Sequence, residues 1–175
     1  MMTGKIRIFS AVTAAFAVVI VLCGCNTSEP ARDGSYAANA VIDDESVRLS
    51  KEDYRQRLLD SFTEWSQENV YIALALAGEE DHDMAEIPGR ADKANAALDG
   101  FNEFLPPREL DKLHNNILLN IDIERKWLAA AVKAAEADKT GDTAGFDAAV
   151  AEVEKYGAGS KFPTTVLDIL KALKE

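Results

Sequence analysis

Apolar residues recur at intervals of three and four positions along most of residues 50–174, the spacing of helices that bury one side. Ser50 and Asp53 have the spacing of a capping pair, which predicts the start of a first helix, and Gly78 predicts its end. Asn69 is the polar residue that fills a gap in the stripe of this helix. The apolar members of the stripe are Leu58, Phe62, Trp65, Ile72 and Leu76.

Four further helices are predicted from the same spacing and from the prolines and glycines between them. Pro106 and Pro107 separate the second helix from the third. The glycines of residues 157–160 interrupt the fourth helix before the fifth begins, where Thr165 and Asp168 are spaced as a cap. The predicted ranges are 88–104, 107–139, 143–156 and 163–174.

The predicted third helix is the longest, and its apolar residues cover more than one face, which is typical of a helix with neighbours on several sides. At 1.5 Å per residue it is about 48 Å long, whereas the fourth and fifth are about 20 Å each. Joined end to end, the two short helices would line the whole third helix. The sequence therefore predicts an all-α fold, an up-down-up-down bundle whose fourth strut is split into two short helices.

The first 26 residues have a different pattern, which concerns export rather than folding. Lys5 and Arg7 precede a mostly apolar run in residues 8–22, and the segment ends Leu22-Cys23-Gly24-Cys25-Asn26. A positive region, an apolar region and a small residue at the processing position are the parts of a signal peptide. A polar stretch without periodic apolar positions follows and predicts a flexible, disordered tether. The predicted organisation is a signal peptide in 1–24, a tether in 25–47 and a helical bundle domain in 48–175.

The end of this leader resembles the lipobox of bacterial lipoproteins, in which an apolar residue stands three places before the modified cysteine and a small residue stands just before it. Leu22 and Gly24 occupy those places for Cys25. The resemblance implies cleavage after Gly24, a diacylglycerol thioether on Cys25 and a chain anchored to the membrane outside the cytoplasm; two acyl chains give stable anchoring. A retained membrane helix is one alternative, although the run is short for a span of about 20 residues. A soluble secreted form is the other.

The mature chain is strongly acidic. With residues 1–24 removed, 17 basic residues remain against 30 acids, a net charge of −13. Such a surface is repelled by phosphate backbones, which argues against nucleic acid as a partner. Cys23 would leave with the leader and Cys25 would carry the lipid. The folded part would then hold no thiol for a disulfide, a nucleophile or a thiolate metal site.

Residues 105–118, LPPRELDKLHNNIL, are similar to a pattern found in small helical bacterial lipoproteins of uncharacterised function. In that pattern a Pro-Pro pair opens a long helix, an acid lies nearby and a histidine follows two turns into the helix. Pro106, Pro107, Glu109 and His114 occupy these places. The likeness implies no activity.

The two histidines of the chain each follow an acid by three residues, in the pairs Glu79 with His82 and Asp111 with His114. On a helix this spacing puts both side chains on one face, and paired Glu-x-x-His motifs form half of the di-iron carboxylate site of four-helix bundles. A di-metal carboxylate-like site is therefore one hypothesis; a partly buried, hydrogen-bonded His114 is the alternative. The acidic loop 79–86 is predicted to be solvated, with weak cation binding as its alternative. The candidates for the remaining metal ligands are Glu64, Glu68 and Glu103.

Two polar residues, Asn69 and Arg125, fall on apolar stripes and are predicted to form a polar part of the core. A buried arginine requires an acidic partner, because an unpaired interior charge costs several kcal/mol. Control of the packing register is the structural interpretation. A polar lining for a small anionic ligand is the functional alternative.

No pattern in the chain indicates an enzyme or a cofactor: it has neither a nucleophile elbow nor a phosphate-binding glycine loop. We expect a lipoprotein attached to the membrane through Cys25, with a binding or interaction role that involves an envelope protein partner. The alternatives are a metal-binding bundle and a carrier of a small ligand in the bundle interior.

Overall fold

A computed structural model describes residues 47–174, which form five α-helices and no strand. The all-α prediction is confirmed for this part of the chain. The predicted signal peptide, the predicted lipid site Cys25 and residues 25–46 of the predicted tether lie outside the described residues. The helices are α1 Lys51–Ala77, α2 Ile87–Gly100, α3 Asp111–Thr140, α4 Thr143–Gly159 and α5 Phe162–Ala172.

Both predicted ends of α1 are confirmed. The Ser50 hydroxyl accepts a hydrogen bond from the Asp53 backbone N–H at 3.1 Å, which satisfies a donor that the first helical turn leaves unpaired. At the other end Gly78 adopts a φ of 78°, and its N–H bonds to the Ala75 carbonyl at 3.0 Å. Glycine takes this left-handed conformation without steric cost, so α1 ends there.

The helices around the proline pair are shorter than predicted. α2 ends at Gly100 rather than at residue 104. Pro107 has φ −52° and ψ 143°, which is not helical backbone, and a 3₁₀ turn at Arg108–Leu110 follows it. α3 therefore begins at Asp111 rather than at Pro107.

The boundary between α4 and α5 also differs from the prediction. α4 continues through Gly157 to Gly159, and at Gly157 it passes close to α3: a Cβ built there would lie 3.4 Å from Nε1 of Trp127. α4 thus extends three residues beyond its predicted end at residue 156, in spite of the poor helix propensity of glycine. The predicted cap at Thr165 and Asp168 is wrong, since α5 begins at Phe162 and the Thr165 hydroxyl donates to the Lys161 carbonyl from inside the helix.

α3 is the central helix, as predicted, and packs against all four other helices. The chain runs up α1, down α2 and up α3, and then returns along α3 in α4 and α5. Contacts between the returning chain and α3 step down the helix in register: Lys133 with Glu152, Trp127 with Gly157, Glu124 with Ser160, and Asn120 with the Lys161 backbone. The predicted split of the fourth strut is confirmed, with its break at residues 160–161.

The core contains a layer of aromatic rings at mid-height. Phe162, the first residue of α5, packs edge-on against Trp65 at 4.8 Å and against Phe101 at 5.2 Å between ring centroids. Phe62 stacks on Trp65 at 5.5 Å. Edge-to-face and offset arrangements of this kind are the preferred ones for aromatic pairs. Fully buried aliphatic residues fill the space above and below the rings: Leu58, Ile72, Leu98, Ile117, Leu128, Val166 and Ile169.

The domain's first residues are fixed against the connection between α2 and α3. Leu49 N–H donates to the Leu105 carbonyl at 3.1 Å, and the Arg48 guanidinium donates to the Pro106 carbonyl at 2.9 Å. Arg48 also forms an ion pair with Asp111. The preceding chain thus joins one end of the bundle, and the α1–α2 and α3–α4 connections lie at the other, about 40 Å away by the length of α1. None of the helices in residues 47–174 combines the length and the apolar character needed to cross a membrane.

Candidate functional site

His114 lies in the second turn of α3 and is 5% exposed. Its Nδ1 is 3.1 Å from the Tyr54 hydroxyl, and the ring also bonds to the backbone of Phe101. Burial lowers the pKa of His114 to about 4, so the imidazole is neutral at physiological pH. The rings of Tyr54 and Phe104 pack against it at 5.7 and 5.5 Å. These contacts fit the alternative of a buried, hydrogen-bonded histidine.

His82 lies in the connection between α1 and α2, as the sequence predicted, and its ring packs 4.8 Å from that of Tyr71. The Tyr71 hydroxyl accepts a hydrogen bond from the Asp83 N–H at 3.2 Å. Arg90 covers the Tyr71 ring at 4.0 Å and pairs with Glu68 and Glu86 at 3.2 and 3.0 Å. This cluster fastens the connection to both helices.

The predicted metal ligands are not brought together. His114 contacts Tyr54 and His82 contacts Tyr71; these tyrosines are 17 positions apart on α1, about 25 Å along the helix. Asp111 is paired with Arg48 and Glu68 with Arg90, while Glu64, Glu79 and Glu103 are exposed. Within residues 47–174, no group of three or more His, Cys, Asp or Glu side chains is arranged to hold a metal ion.

The two predicted polar core residues have different surroundings. Asn69 is 3% exposed on the inner side of α1. The side chain of Arg125 is 42% exposed and pairs with Asp99 of α2 at the surface. The interior position predicted for Arg125 is therefore wrong.

The buried charge-bearing residue of α3 is its neighbour Glu124, which is 3% exposed and which the sequence interpretation missed. Glu124 accepts a hydrogen bond from the Ser160 hydroxyl at the break between α4 and α5. Burial raises the pKa of Glu124 to about 7, and the Ser160 bond opposes this rise. A spacing of three and four does run through His114, Ile117, Ile121, Glu124, Leu128, Ala131 and Ala135, but the same spacing also fits a stripe through Arg125.

Two surface grooves complete the candidate sites. One of about 450 Å³ runs between the upper parts of α3 and α4, lined by residues that include Ala137, Ala148 and Ala149. The other, of about 270 Å³, lies beside Arg90 at the start of α2. Both are open to solvent. Neither provides the enclosed interior space that a carrier of a small ligand needs.

The chain matches no protein-family model, no curated protein and no solved structure.

Proposed function

We propose that the protein is a lipoprotein of the bacterial cell envelope, anchored through Cys25, whose helical domain has a non-enzymatic binding or interaction role. The observation that carries the proposal is the order of segments in the sequence. A positive and apolar leader ends in Leu22-Cys23-Gly24-Cys25, a polar stretch follows, and the helical domain begins close to residue 47. This is the order expected of a lipid anchor, a tether and a presented domain.

The geometry of the domain supports presentation away from a membrane. The chain enters the bundle beside the α2–α3 connection, where Arg48 and Leu49 are fixed by hydrogen bonds. The α1–α2 and α3–α4 connections are then the parts of the domain farthest from the anchor, by about 40 Å. If the predicted tether behaves as a coil, its roughly 22 residues would add about 25 Å of mean separation. We infer that a partner in the envelope meets this far end.

The absence of a converging set of reactive side chains in residues 47–174 favours an interaction role over catalysis. His114 is enclosed by Tyr54 and Phe104, and Glu124 is enclosed between α3 and the α4–α5 break. General acid–base catalysis needs a group within hydrogen-bond reach of a bound substrate. Neither of these two groups lines either of the grooves.

Mass spectrometry of the chain expressed in a bacterium tests the anchor. We expect a mature amino terminus at Cys25 that carries a diacylglycerol group, and fractionation with the membrane. Cys25→Ala should abolish both the modification and the cleavage after Gly24. Cys23→Ala is the matched control, since residue 23 would leave with the leader, and it should be processed as the unchanged chain is. An uncut, unmodified amino terminus in the cytosol would refute the proposal.

Cross-linking in whole cells tests the interaction role. A photo-cross-linker placed at exposed residue Glu80 in the α1–α2 connection should capture a defined envelope protein in the anchored chain. The same cross-linker at exposed residue Lys112, near the tether end, should give less of that product. Equal capture at both ends would contradict presentation of the far end.

Elemental analysis of the purified full chain tests the metal-binding alternative. A stoichiometric transition metal that is lost in a His82→Ala, His114→Ala double variant would favour that alternative over an interaction role. A chain free of bound metal would agree with the structure, in which the two histidines contact tyrosines that lie about 25 Å apart along α1.

A further inference from the structure

Glu124 occupies the centre of the seam along which α3 meets the rest of the core. The residues three, four and seven positions to either side along this seam are Ile117, Ile121, Leu128 and Ala131, all buried. A carboxylate at such a position needs a cationic partner or several hydrogen-bond donors, because burying an uncompensated charge is costly. Ser160 supplies one donor, and none of the ion pairs within residues 47–174 includes Glu124.

The charged side chains of the surrounding helices are engaged elsewhere. Those in ion pairs are Glu68 with Arg90, Asp99 with Arg125, Glu152 with Lys133, and Asp168 with Lys171. Other charged side chains near this level are exposed, among them Glu64 on α1, Asp122 and Lys126 on α3, Glu154 and Lys155 on α4, and Lys161 at the break. Protonation of Glu124 is therefore the available route to a neutral core.

Glu124 contacts Ser160, one of the two residues that join α4 to α5. The Ser160 hydroxyl donates to Glu124 and accepts the Phe162 N–H at 3.1 Å. The Lys161 N–H donates to the Asn120 side chain at 3.3 Å, one turn before Glu124 on α3. Phe162 then enters the aromatic layer beside Trp65. Residues 160–161 are thus fixed to the core on one side by the Glu124 carboxyl group and on the other by the Phe162 ring.

We propose that Glu124 and Ser160 form a proton-dependent latch, which holds the α4–α5 junction against α3 while Glu124 is protonated and releases it when Glu124 ionises. The ionised carboxylate can regain hydration only if the junction moves away from α3. Ser160, Lys161 and Phe162 are the residues that must move, so Phe162 leaves Trp65 and Phe101, while α1 and α2 keep their contacts with each other. The latch is independent of the proposed anchor and partner.

The position of the transition follows from the groups at the junction. The pKa of Glu124 is about 7 in the closed junction, whereas an exposed glutamate has a value near 4.5. If Glu124 has that ordinary value once the junction opens, the opening equilibrium increases about tenfold between pH 6 and pH 8.5. Removing the Ser160 hydroxyl should raise the closed-state pKa further, because its hydrogen bond lowers it.

Hydrogen–deuterium exchange of the full chain, corrected for the intrinsic pH dependence of amide exchange, tests the latch. We expect the protection of residues 157–163 to fall about tenfold between pH 6 and pH 8.5, with little change in α1. Glu124→Gln should remove this dependence, because an amide mimics the protonated acid at every pH. Asp122→Asn is the matched control on an exposed acid of the same helix and should behave as the unchanged chain does.

Two further results decide the proposal even if Glu124→Gln folds poorly. Ser160→Ala should move the midpoint of the exchange transition to higher pH, which loss of a merely structural contact would not do. Unchanged protection of residues 157–163 across this pH range in the unmodified chain would overturn the latch. So would a transition that Asp122→Asn removes and Glu124→Gln retains.

Discussion

At the scale of single residues, the described domain places titratable groups in its interior only where other polar groups meet them. His114 is neutral and bonded to Tyr54 and to the backbone of Phe101. Glu124 accepts from Ser160 at the break in the fourth strut. Each group links segments distant in sequence, α1 with α3 in one case and α3 with the α4–α5 break in the other. Their protonation states are therefore coupled to how those segments pack.

The hydrogen bond between Tyr54 and His114 should contribute measurably to stability. Tyr54→Phe removes a buried hydroxyl and leaves Nδ1 of His114 without this partner, so the free energy of unfolding should fall by about 1–3 kcal/mol. Urea unfolding of the full chain at pH 7.5 measures the change. Tyr156 on α4 is half-buried, and Tyr156→Phe removes the same hydroxyl group. This control should lower the free energy of unfolding by less than about 0.5 kcal/mol. Equal losses in the two variants would contradict the structural role of this bond.

At the scale of helices, the existence and order of the elements could be predicted, whereas the register of α3 could not. Four neighbours cover α3, so its apolar residues form no single stripe, and a spacing of three and four fits positions 121, 125 and 128 as well as 121, 124 and 128. The first choice puts Arg125 in the core; the structure puts Glu124 there. The partner of Glu124, at residue 160, is 36 positions away in sequence and has no local signal.

The helix ends were predictable where a local conformation decides them. Gly78 and Gly141 both have positive φ and end α1 and α3. α4 continues through Gly157 and ends at Gly159. The same residue type therefore ends one helix and lies inside another. Glycine alone does not mark a helix end; the positive φ at Gly78 and Gly141 does.

Two glycines give a matched test of this argument. Gly141 has φ 72° and Gly89 lies inside α2, and a Cβ at either position would meet nothing within 4 Å. Gly141→Ala should lower the free energy of unfolding by about 1 kcal/mol, because alanine is strained at this positive φ. Gly89→Ala should raise the free energy of unfolding by about 0.5–1 kcal/mol, since alanine is the better helix former. Thermal unfolding of both variants measures the difference, and a shift of the same sign in both would contradict the assignment of strain to Gly141.

At the scale of the whole molecule, α3 connects two ends that differ in their contacts. The chain enters beside the α2–α3 connection, where Arg48 pairs with Asp111 and His114 is buried. The far end carries the acidic α1–α2 connection, with Arg90 and Tyr71 packed beneath it. Glu124 lies between them at the level where the fourth strut breaks. The metal hypothesis required the two histidines to meet, and the length of α1 separates them.

The two buried titratable groups should oppose each other in the pH dependence of global stability. The folded-state pKa of His114 is about 4, below the ordinary 6.5, so its contribution is present above pH 6.5 and is lost as pH falls towards 4. The folded-state pKa of Glu124 is about 7, above the ordinary 4.5, so its contribution is present below pH 4.5 and is lost as pH rises towards 7. Each effect amounts to about 3 kcal/mol at most.

Glu124→Gln should therefore leave stability unchanged near pH 4 and increase it at pH 8 by up to about 3 kcal/mol, because only the ionised form of the glutamate is disfavoured in the core. His114→Gln should show the opposite pH dependence. Relative to the unchanged chain its free energy of unfolding should rise as the pH falls, since the variant lacks the histidine that the fold keeps unprotonated. Urea unfolding of the full chain from pH 4 to pH 8.5 measures both profiles. Between pH 4.5 and 6.5 the effects of His114 and Glu124 on the free energy of unfolding oppose each other. When one of the two groups is removed, the pH dependence caused by the other should become visible in this range. Profiles of the two variants that run parallel to that of the unchanged chain would show that neither buried group is coupled to folding.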